Sequence, residues 1–205
     1  MLTAKFARFA ATSVFWLTAY IKGGYDMGKR ICIAGGHSKK CPGARKYIDE
    51  YTEDRKVAKA CLARLKALGY TTKAGSNEKT TQGAELAEKV RISNAFKADF
   101  FADIHFNACR TTKNKVGVEC YYWPGDKMGK KVAAQVSKDL SKLFGIPNRG
   151  AKASSGLYVL RNTNCTAILP EVCFVDSKAD TNAYKKAGAE KVGQTIANSI
   201  HKVLS

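Results

Sequence analysis

The stretch Asp99-Phe100-Phe101-Ala102-Asp103-Ile104-His105-Phe106-Asn107-Ala108 limits the possible folds more than any other part of the chain. An apolar run this short, rich in aromatic side chains, reads as a buried strand. It ends in a histidine and then a small polar residue. In an open α/β sheet, ligands gather outside the carboxyl ends of the strands, where His105 is well placed to bind a metal. A lone histidine is more often a hydrogen-bonded core residue, but His105 is not alone. Arg30-Ile31-Cys32-Ile33-Ala34 runs through Gly35-Gly36 into His37, and Thr166-Ala167-Ile168-Leu169-Pro170 runs into Glu171. Each of the three strand-like segments delivers a metal-competent or acid-base residue at one end.

Helical patterns separate these strands. Glu50 opens one that carries Val57, Cys61, Leu62, Leu65 and Leu68 and is stopped by Gly69. Gln82 to Lys97 is a second, with Leu86, Val90, Ile92 and Phe96 apolar. Lys127 to Phe144 is a third, stopped by Gly145, and Ala179 to Leu204 closes the chain as a fourth. Tyr70–Ala74, Gly117–Trp123 and Leu157–Leu160 read as further strands. The alternation predicts a single α/β domain over residues 27–205, with a mainly parallel central sheet of about five to six strands flanked by helices.

Residues 1–26 do not fit that pattern. Lys5 and Arg8 precede an apolar stretch from Phe9 to Ile21, interrupted by Thr12, Ser13 and Thr18. The stretch has the look of a short targeting core but is short for a membrane span. A peripheral helix, a targeting segment in contact with a membrane, and an extension upstream of a start at Met27 are all open readings.

Charge narrows the partners. The chain has 35 basic and 17 acidic residues, a formal net charge of +18, which suits a polyanionic environment. The lysines are scattered, with no dense basic block and no nucleic-acid motif. By charge alone nucleic acid, anionic lipid and an anionic bacterial wall polymer all qualify as partners, and the lack of a motif weighs against nucleic acid. The seven cysteines are odd in number, form no C-x-x-C, and several lie in apolar runs. That pattern predicts reduced thiols made in a reducing compartment, not a disulfide framework.

Two histidines, a carboxylate and an open position form the ligand set of a catalytic zinc site. His37 and His105 have the strand-end context; His201, on the closing helix, is expected at the surface. Asp49, Glu50, Glu53 and Asp54 are all candidates for the carboxylate. Acids in a first helical turn also complement the helix dipole, so residue chemistry alone leaves the choice open.

In order and spacing, these pieces resemble the zinc-dependent N-acetylmuramoyl-L-alanine amidases, the type 3 family of bacterial autolysins and phage endolysins. The matching segments are Ile31 to His37, the acid opening the first helix, Arg91-Ile92-Ser93-Asn94-Ala95 and Asp103 to Ala108. They continue with Asn148-Arg149-Gly150-Ala151-Lys152, Leu157-Tyr158-Val159-Leu160 and Ala167 to Phe174. The resemblance implies a zinc cofactor on His37, Glu50 and His105, with Glu171 as the catalytic glutamate. The implied substrate is peptidoglycan, cut at the bond between N-acetylmuramic acid and L-alanine, by an enzyme made in the cytoplasm and acting at the wall.

Asn107, two residues past a ligand on an extended chain, shares the His105 side and is a candidate substrate contact. Arg149 and Lys152 are candidates for the carboxylates of the stem peptide, against the plainer reading of a structural salt bridge. Two features depart from the family pattern. Pro170 stands where an apolar residue is usual and suggests a bulge or sheet edge that would shift Glu171. Cys109 and Cys173 bring soft ligands close to the expected site. A zinc peptidase of the stem peptide, a cysteine hydrolase using Cys109 beside His105, and a non-enzymatic basic wall-binding module are the rival readings.

Overall fold

A computed structural model describes residues 28–205, so the expectations for residues 1–26 lie outside the described residues. Six strands form one sheet in the order β2-β1-β3-β6-β4-β5. They are β1 (Arg30–Gly35), β2 (Thr71–Ala74), β3 (Phe100–Asn107), β4 (Val118–Tyr122), β5 (Asn148–Ala153) and β6 (Thr166–Phe174). Every neighbouring pair is parallel except β4 with β6, as expected for a mainly parallel sheet. The helices are α1 (Glu50–Ala67), α2 (Gln82–Ala95), α3 (Lys127–Phe144), α4 (Tyr158–Asn162), α5 (Lys178–Ala187) and α6 (Ala189–Leu204).

The sheet is covered on both faces. On one, Val57, Cys61 and Leu65 of α1, Val132, Val136 and Leu140 of α3 and Val192, Ile196 and Ile200 of α6 pack on Ile31, Ile33, Phe100, Ala102 and Ile104. On the other, Val90 of α2 and Val159 and Leu160 of α4 cover Cys32, Ala34, Phe101, Ala167 and Leu169. Alternation along β3 puts Asp103, His105 and Asn107 on this second face with Phe101.

The helix starts are chemically marked. Asp49 caps α1 by accepting from Thr52 N at 2.8 Å, and Asp126 caps α3 by accepting from Gly129 N at 2.7 Å. Each side chain satisfies an amide that has no partner inside its helix.

Three expectations need correction. The single closing helix is two helices, because Gly188 (φ 80°, ψ 147°) breaks it, a conformation open to glycine and strained for other residues. Leu157–Leu160 is the N-cap and first turn of the short helix α4, not a strand; its apolar residues fit either period over so few positions. Pro170 is neither at a sheet edge nor at the point of a shift. It is buried in β6, which lies between β3 and β4. The β3–β6 register holds from Ala102↔Ile168 to His105↔Glu171, and the irregularity falls between His105 and Asn107.

All seven cysteines are free. Cys32, Cys61, Cys120 and Cys173 are buried, Cys41 and Cys165 half-buried, and Cys109 exposed. No helix among the described residues is long and apolar enough to cross a membrane.

Candidate metal centre

Three chain segments converge at the carboxyl ends of β1 and β3. His37 follows the Gly35-Gly36 exit from β1, Glu50 is the first residue of α1, and His105 lies near the end of β3. Their candidate donor atoms all lie within 4.8 Å of one another. His37 Nε2 and His105 Nδ1 are each 3.1 Å from Glu50 Oε1. The two imidazoles meet edge to face, with centroids 4.9 Å apart. Among the described residues no cysteine joins this cluster. Cys173 is buried and Cys109 is exposed on the following loop, so neither supplies the soft ligand that the sequence raised.

The surroundings hold Glu50 firmly. Phe106 N donates to its Oε1 at 3.0 Å and Ala44 N to its Oε2 at 2.8 Å. Burial opposes its charge, but the hydrogen bonds from His105 and His37 outweigh that and hold the carboxyl far below the ordinary range. Only glycine fits at position 43. A Cβ there would stand 2.4 Å from His37 Nε2 and 2.5 Å from Glu50 Oε2, and the backbone has φ +71°. Gly36 is equally tight, its Cβ position lying 2.5 Å from His105 Nδ1.

The other acids of the first turns have different work. Asp49 caps α1. Glu53 pairs with Lys56 at 2.8 Å and accepts from Tyr184 Oη at 2.6 Å. Asp54 accepts from His37 N at 3.0 Å, and burial pushes its carboxyl up to about 8. Only Glu50 turns a carboxylate toward both histidines.

The donor set suits zinc: two imidazole nitrogens and one carboxylate oxygen, with side chains of both histidines partly open to solvent. His105 uses Nδ1 toward the centre, and its Nε2 lies 3.3 Å from Asp103 Oδ2. A carboxylate behind a metal-binding imidazole is the usual support for such a ligand. Desolvation of the ring disfavours the charged form of His105, yet Asp103 and Glu50 together draw it well above the ordinary histidine range.

Glu171 stands beside this cluster as the direct partner of His105 in the β3–β6 pairing. Its Oε2 is shut off from solvent and has no hydrogen-bond partner. Burial pushes its carboxyl up to about 8. A buried carboxyl oxygen without a partner in the protein is rare, and suits a group that works on water or substrate.

On the far side of Glu171 lies Glu119, its partner in the antiparallel pairing with β4. The sequence reading missed this residue. Glu119 is 2 % exposed and accepts from Arg149 Nε and Lys152 Nζ, both at 2.5 Å, from Tyr121 Oη at 2.7 Å and from Asn107 Nδ2 at 2.9 Å. The signal was available in Val118-Glu119-Cys120-Tyr121-Tyr122: an acid inside an apolar strand is costly unless paired. Arg149 also lies over the Phe174 ring, 5.2 Å from its centroid. The structural salt bridge weighed for Arg149 and Lys152 is thus present, and Asn107 belongs to the same network. His201, expected at the surface, is half-buried, with Nδ1 3.0 Å from Tyr70 Oη.

Comparison with known proteins gives a consistent picture. Residues 31–202 match the family described as N-acetylmuramoyl-L-alanine amidase. An uncharacterised protein of Clostridium perfringens strain 13 is 31% identical over 174 residues, covering 84% of this chain and 52% of that protein. The endolysin of Bacillus phage SPP1 is 29% identical over 191 residues, covering 87% of this chain and 67% of the endolysin. Among solved structures, the catalytic domain of the CD27L endolysin targeting Clostridia difficile superposes with a TM-score of 0.78 at 27% identity, covering 85% of this chain and 98% of that one. The chain spans about half the length of the first curated relatives it matches.

Proposed function

The chain belongs to the N-acetylmuramoyl-L-alanine amidase family, and from that membership we propose that it hydrolyses the amide bond between N-acetylmuramic acid and L-alanine in peptidoglycan, with zinc held by His37, Glu50 and His105. The observation that carries this reading is the convergence of His37 Nε2 and His105 Nδ1 on Glu50 Oε1, at 3.1 Å each, next to the unpartnered carboxylate oxygen of Glu171. Zinc in such a site supplies Lewis acidity toward the amide carbonyl and makes water acidic near neutral pH.

Glu171 does the proton work. Its carboxylate takes a proton from the attacking water as the water oxygen bonds to the carbonyl carbon. It then delivers that proton to the L-alanine nitrogen as the C–N bond breaks. An amide nitrogen leaves poorly without that proton, so one carboxyl serves both halves of the reaction. Burial suits it to the task, since a carboxyl raised toward neutrality both accepts and returns a proton readily.

Arg149 and Lys152 hold the substrate by its stem-peptide carboxylates. Glu119 anchors both cations, through Arg149 Nε and Lys152 Nζ. The Arg149 guanidinium carries further donors besides the Nε committed to Glu119. Asn107, tied to Glu119 through Nδ2, fixes the edge of the same network. The scattered positive charge of the chain favours an anionic wall as its working surface.

Digestion of purified peptidoglycan followed by mass spectrometry tests the reading. Free stem peptides with an L-alanine amino terminus, and glycan strands stripped of peptide, are the expected products. Shortened stems still attached to N-acetylmuramic acid would mark a peptidase instead. Chelation should abolish the reaction, and zinc should restore it, whereas alkylation of Cys109 should leave the rate unchanged.

A further inference from the structure

A buried ammonium lies behind the candidate metal centre. Lys89, on α2, is fully enclosed, as are Asp103 and, nearly so, Glu85. A lysine in that position is costly unless its charge is matched. Its Nζ lies 2.9 and 3.0 Å from the two Asp103 oxygens and 2.5 Å from Glu85 Oε1, and it donates to the Gly36 carbonyl. These partners belong to three different segments. Glu85 sits one turn earlier on α2. Asp103 precedes His105 by two residues on the same face of β3. Gly36 immediately precedes His37.

The contact with Asp103 continues to His105. Asp103 Oδ2 is 3.3 Å from His105 Nε2, and no other polar group satisfies that buried nitrogen. The other ring nitrogen faces Glu50. The ring packs directly over Gly36, so closely that a methyl group there would overlap it.

We propose that Lys89 and Asp103 are positioning residues for the metal centre: Asp103 holds His105 with its hydrogen on Nε2 and its Nδ1 lone pair toward the metal, and Lys89 locks Asp103 and the Gly36 carbonyl into one frame. A single ammonium thereby aligns the segments that carry both histidines. The inference rests on the reading of His37, Glu50 and His105 as ligands. A merely structural ion pair would affect folding and leave the imidazole tautomer and zinc affinity of folded protein alone.

The test compares the full chain with Asp103→Asn, Lys89→Met and Lys89→Arg. The readouts are zinc affinity by competition with a chromophoric chelator, melting temperature of the zinc-free protein, and the His105 tautomer by ¹⁵N NMR. Asp103→Asn keeps the shape and leaves Lys89 paired with Glu85, so the protein should fold. Its zinc affinity should drop on the order of 10–100-fold, the usual effect of losing such a partner. Lys89→Met should also bind zinc more weakly, with Lys89→Arg recovering part of the loss. If Lys89→Met does not fold, Asp103→Asn and Lys89→Arg decide. Zinc-loaded wild-type protein should carry the His105 hydrogen on Nε2. Zinc binding in Asp103→Asn equal to wild type would overturn the inference while leaving the ligands in place, and a hydrogen on Nδ1 of the zinc-loaded wild type would overturn it together with the ligand atom assigned to His105. A wild-type chain that takes up no zinc would overturn both.

Discussion

Glu119 and Glu171 face each other across the antiparallel pairing of β4 with β6, and their environments drive them in opposite directions. Burial disfavours charge on both. For Glu119 the hydrogen bonds from Arg149, Lys152 and Tyr121 overcome it, holding the carboxyl down at about 2. For Glu171 burial prevails, helped by the neighbouring acids Glu50 and Glu119, and the carboxyl rises to about 8. When the environment separates two adjacent carboxyls in this way, it divides their roles. On the proposed mechanism the ionised one anchors cations, and the raised one trades protons.

Replacing Glu171 with Gln should therefore remove catalysis and little else. The amide keeps the size of the side chain but cannot accept a proton from water. The rate of wall hydrolysis should fall on the order of 10²–10⁴-fold, the usual contribution of a positioned acid-base group. Zinc content and melting temperature should stay close to wild type. An active Glu171→Gln protein, or one that has lost its zinc, would contradict the assignment.

Glu50→Gln should behave differently. It removes a ligand and leaves two histidines facing a neutral amide, so metal content should fall together with activity. Elemental analysis of Glu50→Gln beside a His37→Ala/His105→Ala double variant checks this. About one zinc per wild-type chain and almost none in either variant is the expected result.

Gly43→Ala is the sharpest steric test. The added methyl meets His37 and Glu50 at less than van der Waals distance, on a backbone with φ +71°. The left-handed conformation alone costs about 1–2 kcal/mol for a residue with a Cβ. Melting temperature should drop, and zinc affinity should drop with it, because the methyl occupies the space between two ligands. Unchanged zinc affinity would show that the loop yields without disturbing them.

Glu119 makes a prediction in pH. Its carboxyl is lower in the folded chain, at about 2, than its ordinary value of 4.5. Its contribution to stability is therefore complete above pH 4.5 and is lost as pH falls toward 2. The melting-temperature gap between wild type and Glu119→Gln should be widest above pH 4.5 and should close through that window. A gap that stays constant down to pH 2 would mean that the network is not sustained by the charge of Glu119.

Charge makes a prediction in salt. With 35 basic and 17 acidic residues, 35 − 17 gives the net +18. Exposed charges are screened over roughly 8 Å at physiological salt. Retention on purified anionic walls should weaken steeply as salt rises. Equal retention at low and high salt would exclude charge as the tether.

Most of the sheet was legible because buried strands announce themselves. The runs into Gly35 and Asn107 and the strand ending at Phe174 have the composition of fully covered strands, and capped, amphipathic α3 was equally plain. What was not legible depended on pairs distant in sequence. Nothing local in Asn148–Ala153 marks an edge strand; it pairs only with β4. The Arg149 and Lys152 side chains acquire meaning only where Glu119, about thirty residues earlier, meets them. The choice among Asp49, Glu50, Glu53 and Asp54, which the family resemblance implied as Glu50, has no local signal in the residues either and is tertiary. One turn of helix points its four acids in different directions, and only the packing of α1 against β1 and β3 selects one.

The distribution of free thiols has a practical consequence. Cys61 of α1 and Cys32, Cys120 and Cys173 of the sheet are completely enclosed, while Cys109 is open to solvent. The folded chain thus carries its own unfolding clock. An alkylating reagent should label Cys109 at once and reach the enclosed four only when helix and sheet separate. Under conditions where reclosing is slow relative to labelling, their rate of modification reads the opening rate of the core directly, with no probe attached and no residue changed.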